Sequence, residues 1–315
     1  MAEQLDKLIY LSGVYGAEPY SQPNNIVSTP VVATKQLSPS ESGRMIATYF
    51  QRDVSRDITA TNVYTNSQAI TATELTSYDY NVPIIQTSFS VKVNKHDAFK
   101  KGRTVEQEFS SMVGQIQGSI RNITQARLVS NLTGVFDTAL ASHYITTYNS
   151  GGWDGNAVRT VNYDLFGERA DTIQYLIMHS AQLAQIQNTE IVPQFKGSTV
   201  NGQDIMLNRY MNKTILINDT LCAPTGNVYP TYLVGGGALG VTYRNNATFE
   251  DVTTTVAGGT VERVFTFDFA SEVLGVDFSG SYPTADSGIT TGSNYNLVWD
   301  SKEVKIAKID FLIGA

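Results

Sequence analysis

Between Ile58 and Val91 the chain carries no Lys or Arg, and its only acids there are Glu74 and Asp79. Monomeric proteins guard exposed strand edges with charge, Lys above all, because an unpaired row of backbone groups invites another chain to pair with it. A long β-type stretch without that guard needs a fold in which the edge is covered. As a two-stranded arm, each limb of about 17 residues would span roughly 55 Å at about 3.3 Å per residue. That reaches beyond its own subunit. An isolated hairpin is marginal in water, so an arm bearing Ile70, Leu75, Val82, Ile84, Ile85 and Phe89 is expected to lie on another copy, with those side chains as intersubunit contacts.

A helix follows directly. Thr104-Val-Glu-Gln107 fits a capping box, in which the Thr and Gln side chains satisfy helix-end donors reciprocally. Phe109, Met112, Ile116, Ile120 and Ile123 recur at spacings of three and four and are expected to form the helix's core face. Leu132, Val135, Phe136 and Leu140 continue the pattern. Unbroken to Leu140, the helix would be roughly 55 Å long at about 1.5 Å per residue. Gly114, Gly118 and Gly134 each weaken it by about 1 kcal/mol relative to Ala.

Charge is sparse, at 16% of residues, and interface cores are depleted in charge. The net charge of −7 and pI near 5.0 argue against a tight nucleic-acid binder with a basic face. Cys222 is the only cysteine. It permits no intrachain disulfide, suits a reducing compartment and reads as a small buried apolar residue. No run of about 20 apolar residues marks a membrane span, and the N-terminus lacks a secretory pattern. No membrane partner is expected.

Along the chain, Pro23, Pro30 and Pro39 break up an extended N-terminal segment, and Ser40 to Phe50 reads as a short helix. Beyond a Gly- and Asn-rich loop at 149–155, residues 164–171 read as helical, 173–178 as a buried strand and 180–187 as a short helix. Strands are expected at 214–217, 230–234, 248–256, 260–269 and 304–313. Helices and strands are mixed without a repeating βαβ order, which makes the fold class α+β.

Chemical motifs are weak. Gly235-Gly-Gly237-Ala-Leu-Gly240 matches the dinucleotide-binding pattern in letters. That chemistry needs a helix opening at the glycines, whereas the following residues read as strand or turn. His96, His143 and His179 lack metal-ligand spacing. His179-Ser180 is better explained by Ser180 as a helix N-cap than as a base and nucleophile. No catalytic residue, cofactor or metal is assigned. Lys95, Lys100, Lys101 and Arg103 form a basic cluster at the helix entrance, read as a solvated face, with an acidic neighbour or packaged nucleic acid as the lesser readings.

Several segments resemble the major capsid protein of tailed bacteriophages. Ser130-Asn-Leu-Thr-Gly-Val-Phe136 is similar to the end of that family's spine helix, and Ile177-Met-His-Ser180 to a shell-domain strand and turn. Thr214-Ile-Leu-Ile-Asn-Asp219 resembles the next strand. Tyr232-Leu-Val-Gly-Gly-Gly-Ala-Leu-Gly240 is similar to a family segment that supplies another origin for the glycines. Asn294-Tyr-Asn-Leu-Val-Trp299 with Lys305 to Ile313 resembles the closing strand. The resemblance implies a Hong Kong 97-like capsid fold: an N-terminal arm at 1–57, an extended β-loop at 58–93 and a peripheral domain with the spine helix at 94–145. A mainly axial domain at 146–245 and a β-rich return at 246–315 complete it.

The implied function is structural. Hexamers and pentamers of this chain would build an icosahedral shell enclosing double-stranded DNA, in a virion assembled in the host bacterial cytoplasm. The implied partners are further copies of itself, a portal, a decoration protein, loosely contacted DNA and a scaffolding protein. About 57 residues before the arm point to a separate scaffold. Some members weld subunits through a Lys in the loop, and Ile58 to Val91 has none. An encapsulin nanocompartment shell, which shares the fold, and an oxidoreductase using the glycine motif are the alternatives.

Overall fold

The computed structural model describes residues 26–37, 45–51, 77–111, 113–148, 152–189, 194–196, 206–244, 248–252, 259–281, 283 and 287–313. In chain order these give β1 (Val32–Leu37), β2 (Met45–Gln51), β3 (Ser77–Pro83) and β4 (Ile85–Asn94), then α1 (Lys95–Lys100), α2 (Val105–Ser111) and α3 (Val113–Asp137). After β5 (Tyr144–Tyr148) come α4 (Gly155–Phe166), β6 (Ile173–Met178) and α5 (Ser180–Thr189). The strands β7 (Gln194–Lys196), β8 (Met206–Tyr210), β9 (Lys213–Ile217), β10 (Val228–Gly235), β11 (Leu239–Arg244), β12 (Thr248–Val252), β13 (Thr260–Val273) and β14 (Val276–Phe278) follow. The short helix α6 (Ser287–Thr290), β15 (Tyr295–Leu297) and β16 (Ile306–Leu312) close the chain.

Two sheets organise the subunit. The larger runs β5-β16-β10-β6-β9-β8-β7 and is buried on both faces, which its period-two alternation makes visible. On β10, Leu233 points to one side and Tyr232 and Val234 to the other; on β6, Leu176 and Met178 oppose Ile177. One face packs on α4 and α5 through Val158, Val161, Phe166, Leu183 and Ile186. The other packs on the C-terminal half of α3 through Leu128, Leu132, Val135 and Phe136. Fully burying each such side chain is worth about 1.5–3 kcal/mol.

The second sheet is built on β13. That 14-residue strand pairs antiparallel along β4 on one edge and with β11 and β12 on the other. β1 adds to β11 in parallel, so residues 26–37 belong to the subunit core, with Ile26, Val31 and Val32 buried among α3 and β11 residues. The turn at Gly235–Ala238 carries the chain from one sheet to the other. There Gly237 has φ +66° and its N–H donates to Pro30 O at 3.1 Å.

The capping box forms as expected: Thr104 N donates to Gln107 Oε1 at 2.9 Å, and Gln107 N to Thr104 Oγ1 at 3.2 Å. Helix α3 ends at Asp137 rather than Leu140, and Leu140 N donates back to Val135 O at 2.9 Å. Residues 45–51 are strand, not the expected helix, because their backbone pairs with β3 from Met45↔Pro83 to Gln51↔Ser77. The helix expected at 164–171 instead starts at Gly155. Asp154 caps it by accepting from Asn156 N at 2.9 Å and Ala157 N at 3.4 Å. Val158 and Val161 are poor helix formers, and their burial against the large sheet outweighs that preference.

Candidate assembly surface

Strands β2 and β3 form the two-stranded arm, and its root is sunk into the subunit. Tyr80, Val82 and Ile84 are buried with Ala270 of β13, and Val298 packs against them. Asp277 of β14 clasps the same root: its Oδ1 accepts from Asn81 N at 2.7 Å and from Asn81 Nδ2 at 3.3 Å. Residues 52–76, which join the two limbs, lie outside the described residues.

This corrects part of the sequence reading. Val82, Ile84 and Ile85 are each 4% exposed within a single chain. They hold the arm to its own subunit, Ile85 in the main core, so they are not available to a neighbour. Ile70 and Leu75 lie outside the described residues, and the side chain of Phe89 outside the described side chains. The uncharged stretch thus reads two ways at once, because a strand buried against its own sheet needs as little charge as one covered by another copy.

The helix stripe also shifts. Phe109 is buried, but in a satellite cluster with Val93 and Ala98. Ile120 and Ile123 are half-buried. Met112 lies outside the described residues, and the side chain of Ile116 outside the described side chains. The docked face of α3 begins at Thr124 and is partly polar, which a search for apolar period passes over. Gln125 Oε1 accepts from Ile26 N at 3.1 Å and from Asn218 Nδ2 at 3.2 Å, while Asn218 Oδ1 accepts from Leu221 N at 2.8 Å. Arg127 donates to Ile85 O at 3.3 Å and lies 4.4 Å from the Phe269 ring centroid. Asn131 Nδ2 donates to Ser271 O at 2.6 Å. Buried polar groups paired in this way fix one register of helix on sheet.

The groups that could carry chemistry are accounted for structurally. Gly235–Gly240 is a strand–turn–strand link with no helix opening at it. A Cβ at Gly240 would collide with Glu272, which explains a glycine there without a ligand. His179, Ser180 and Asp219 do meet, but as a helix cap. His179 Nδ1 accepts from Ala181 N at 3.0 Å, and Gln182 Oε1 accepts from His179 N at 3.0 Å. Asp219 accepts from Ser180 N at 2.7 Å and from Ser180 Oγ at 3.1 Å. The N-cap is therefore His179, one residue before the expected Ser180. In a nucleophile–base pair the Ser hydroxyl would donate to the ring nitrogen, whereas here it donates to the carboxylate.

Lys213 is buried and pushed down to about 8 by desolvation, opposed by Asp171. Its Nζ donates to Ile173 O at 2.7 Å and Asn162 Oδ1 at 3.3 Å, tying β9 to the start of β6. Burial pushes the Cys222 thiol up, away from the reactive thiolate. Burial and the Asp310 carboxylate, which accepts from the Tyr144 hydroxyl at 2.5 Å, push Tyr144 up to about 12. Among the described residues no group of three or more His, Cys, Asp or Glu is placed to hold a metal, and no helix is long and apolar enough to cross a membrane.

No family model matches the chain, and no curated protein matches it in sequence. Solved structures match it from end to end. The capsid of Ralstonia phage GP4 aligns with a TM-score of 0.56 at 10% identity, over 92% of this chain and 89% of that one. The capsid of cyanophage Pam1 aligns with a TM-score of 0.54 at 11% identity, over 94% of each chain. An encapsulin complex from Synechococcus elongatus aligns with a TM-score of 0.52 at 8% identity, over 96% of this chain and 94% of that one. At such identities the likeness is one of architecture: this chain has the fold of phage capsid proteins, which the encapsulin shares.

Proposed function

We propose that this chain is the major capsid protein of a tailed bacteriophage, a structural protein without catalytic activity. Its copies assemble as hexamers and pentamers into an icosahedral shell around double-stranded DNA. The observation that carries the reading is the β2–β3 arm rooted in the subunit core on a fold that phage capsid chains match over nine-tenths of its length. A shell subunit uses such a paired arm, anchored at its root in its own core, to reach a neighbour. A scaffolding protein, a portal and a decoration protein are the further partners of this reading, with non-specific contact to the packaged DNA. Its location is the virion capsid, assembled in the host cytoplasm.

One neighbour supports a second reading. The Synechococcus elongatus encapsulin aligns with this chain as fully as the phage capsids do, so a protein-filled compartment is the alternative content of the same shell. Expression with the scaffolding protein, followed by light scattering, tests the shell itself: closed particles of many copies are expected, and compact monomers under those conditions overturn it. The contents of particles purified from the native source separate the two readings. Nuclease-protected double-stranded DNA is expected, and a copurifying enzyme cargo without DNA overturns the phage assignment.

A further inference from the structure

Helix α1 follows β4 directly. Asn94 caps it by accepting from His96 N at 2.9 Å and Asp97 N at 3.4 Å, and Lys95 N donates to Gly259 O at 2.7 Å. Ala98 faces inward, buried with Val93 and Phe109. Phe99, the next residue, faces outward and is 80% exposed. Single exposed apolar residues are ordinary on monomers, but this one stands in an unusual field. Residues 92–103 hold five of the chain's 22 cations and one of its 29 acids. Lys92 pairs with Glu262 at 3.3 Å, and Lys101 and Arg103 with Glu108 at 3.6 Å each. Lys95 and Lys100 are exposed and make no ion pair among the described residues.

We propose that this knuckle is a docking surface for a second copy of the chain, with Phe99 seated in an apolar site and Lys95 and Lys100 meeting acidic residues around it. The proposal rests on the shell reading above and names a contact separate from the arm. Charge selects the occupant. The rest of each copy carries the acid excess that makes the whole chain −7, so another copy offers the complementary sign. A nucleic acid would call for a broad uncompensated basic face, and three of the five cations here are already tied to Glu262 or Glu108. A rigid aromatic flanked by charge is also the form that interface anchors take, because little side-chain entropy is lost on seating it.

The test places the photo-crosslinking residue p-benzoylphenylalanine at position 99, and irradiates both assembled particles and concentrated unassembled protein. A band at about twice the 34.4 kDa chain mass, with the crosslink mapping to an acidic surface segment of the same sequence, is the expected result. That band in unassembled protein, with no particles formed, would sustain the docking while the shell reading falls. Particles that form but give no such band, or that crosslink at position 99 to nucleic acid or to a different protein, would overturn the docking while the shell stands. No band in either sample overturns it as well. In parallel, Phe99→Ala and the pair Lys95→Glu and Lys100→Glu should leave the subunit's melting curve in place and raise the protein concentration needed for assembly by at least about tenfold. An unchanged concentration threshold in both variants contradicts the proposal.

Discussion

Two glycines of α3 look alike in the sequence and differ in the fold. A Cβ at Gly134 would strike Ile289 O and come within 2.7 Å of the Tyr295 ring, whereas a Cβ at Gly118 would meet nothing within 4 Å. Gly134→Ala is therefore expected to destabilise the subunit by about 1–3 kcal/mol, as overpacking does, and Gly118→Ala to stabilise it by about 0.5–1 kcal/mol. Denaturant melts of the two variants check the opposite signs. His143 offers a pH handle. Burial lowers its pKa, opposed by the bond from Nδ1 to Ile306 O at 2.9 Å. The unfolded chain then binds the proton more readily than the folded one, so stability falls as pH drops through the ordinary His value toward the lowered folded value. His143→Gln should shrink the loss of unfolding free energy between about pH 7.5 and about pH 5.5, and an undiminished loss would show that other groups set it. At this scale the sequence is legible where side chains obey local rules, as at Thr104 and Gln107. It is silent at His179, since His is not among the usual N-cap residues and the Asp219 that shares the cap lies 39 residues away.

At the scale of elements, the arm is the instructive case. Its second limb was legible as a β-type stretch, but its first limb, β2, sits at residues 45–51, ahead of the stretch whose missing charge drew attention. Local preference cannot reveal a strand whose partner begins 26 residues after it ends. The same distance effect hid the core role of Val82, Ile84 and Ile85, because an alternating apolar strand looks the same whether its cover is β13 or another chain. Asp277→Ala removes the single oxygen that accepts both bonds of the Asn81 clasp while leaving Tyr80, Val82 and Ile84 in place. It is expected to cost the subunit only about 1–2 kcal/mol yet to misdirect the arm, giving aberrant or few particles under the microscope. Asp277→Asn keeps an acceptor at the same position and should restore them. Excising residues 52–76 and closing the hairpin with a short turn should leave the subunit folded, by circular dichroism and melting, and abolish shells; normal particles from that variant would show that the arm does not bridge subunits.

For the whole molecule, class and order of elements were legible because buried strands declare themselves, 173–178 by a short apolar run and 306–312 by near-alternation. The three-dimensional closure was not. β16 sits between β5 and β10, and β1 pairs with β11 across about 200 residues of sequence, and such pairings leave no mark in any local window. The polar docking of Gln125, Arg127 and Asn131 escaped for the same reason. With Cys222 buried and no Lys between Ile58 and Val91, neighbours in the proposed shell are expected to be held without covalent bonds: particles boiled in detergent should run as a single band near 34.4 kDa, and a ladder of multimers would contradict this. Whether copies of this fold close into a shell is decided by electron microscopy of the purified protein, expressed with its scaffolding protein: closed icosahedral particles with hexameric and pentameric capsomers are expected, and a field of separate, compact subunits would overturn the shell.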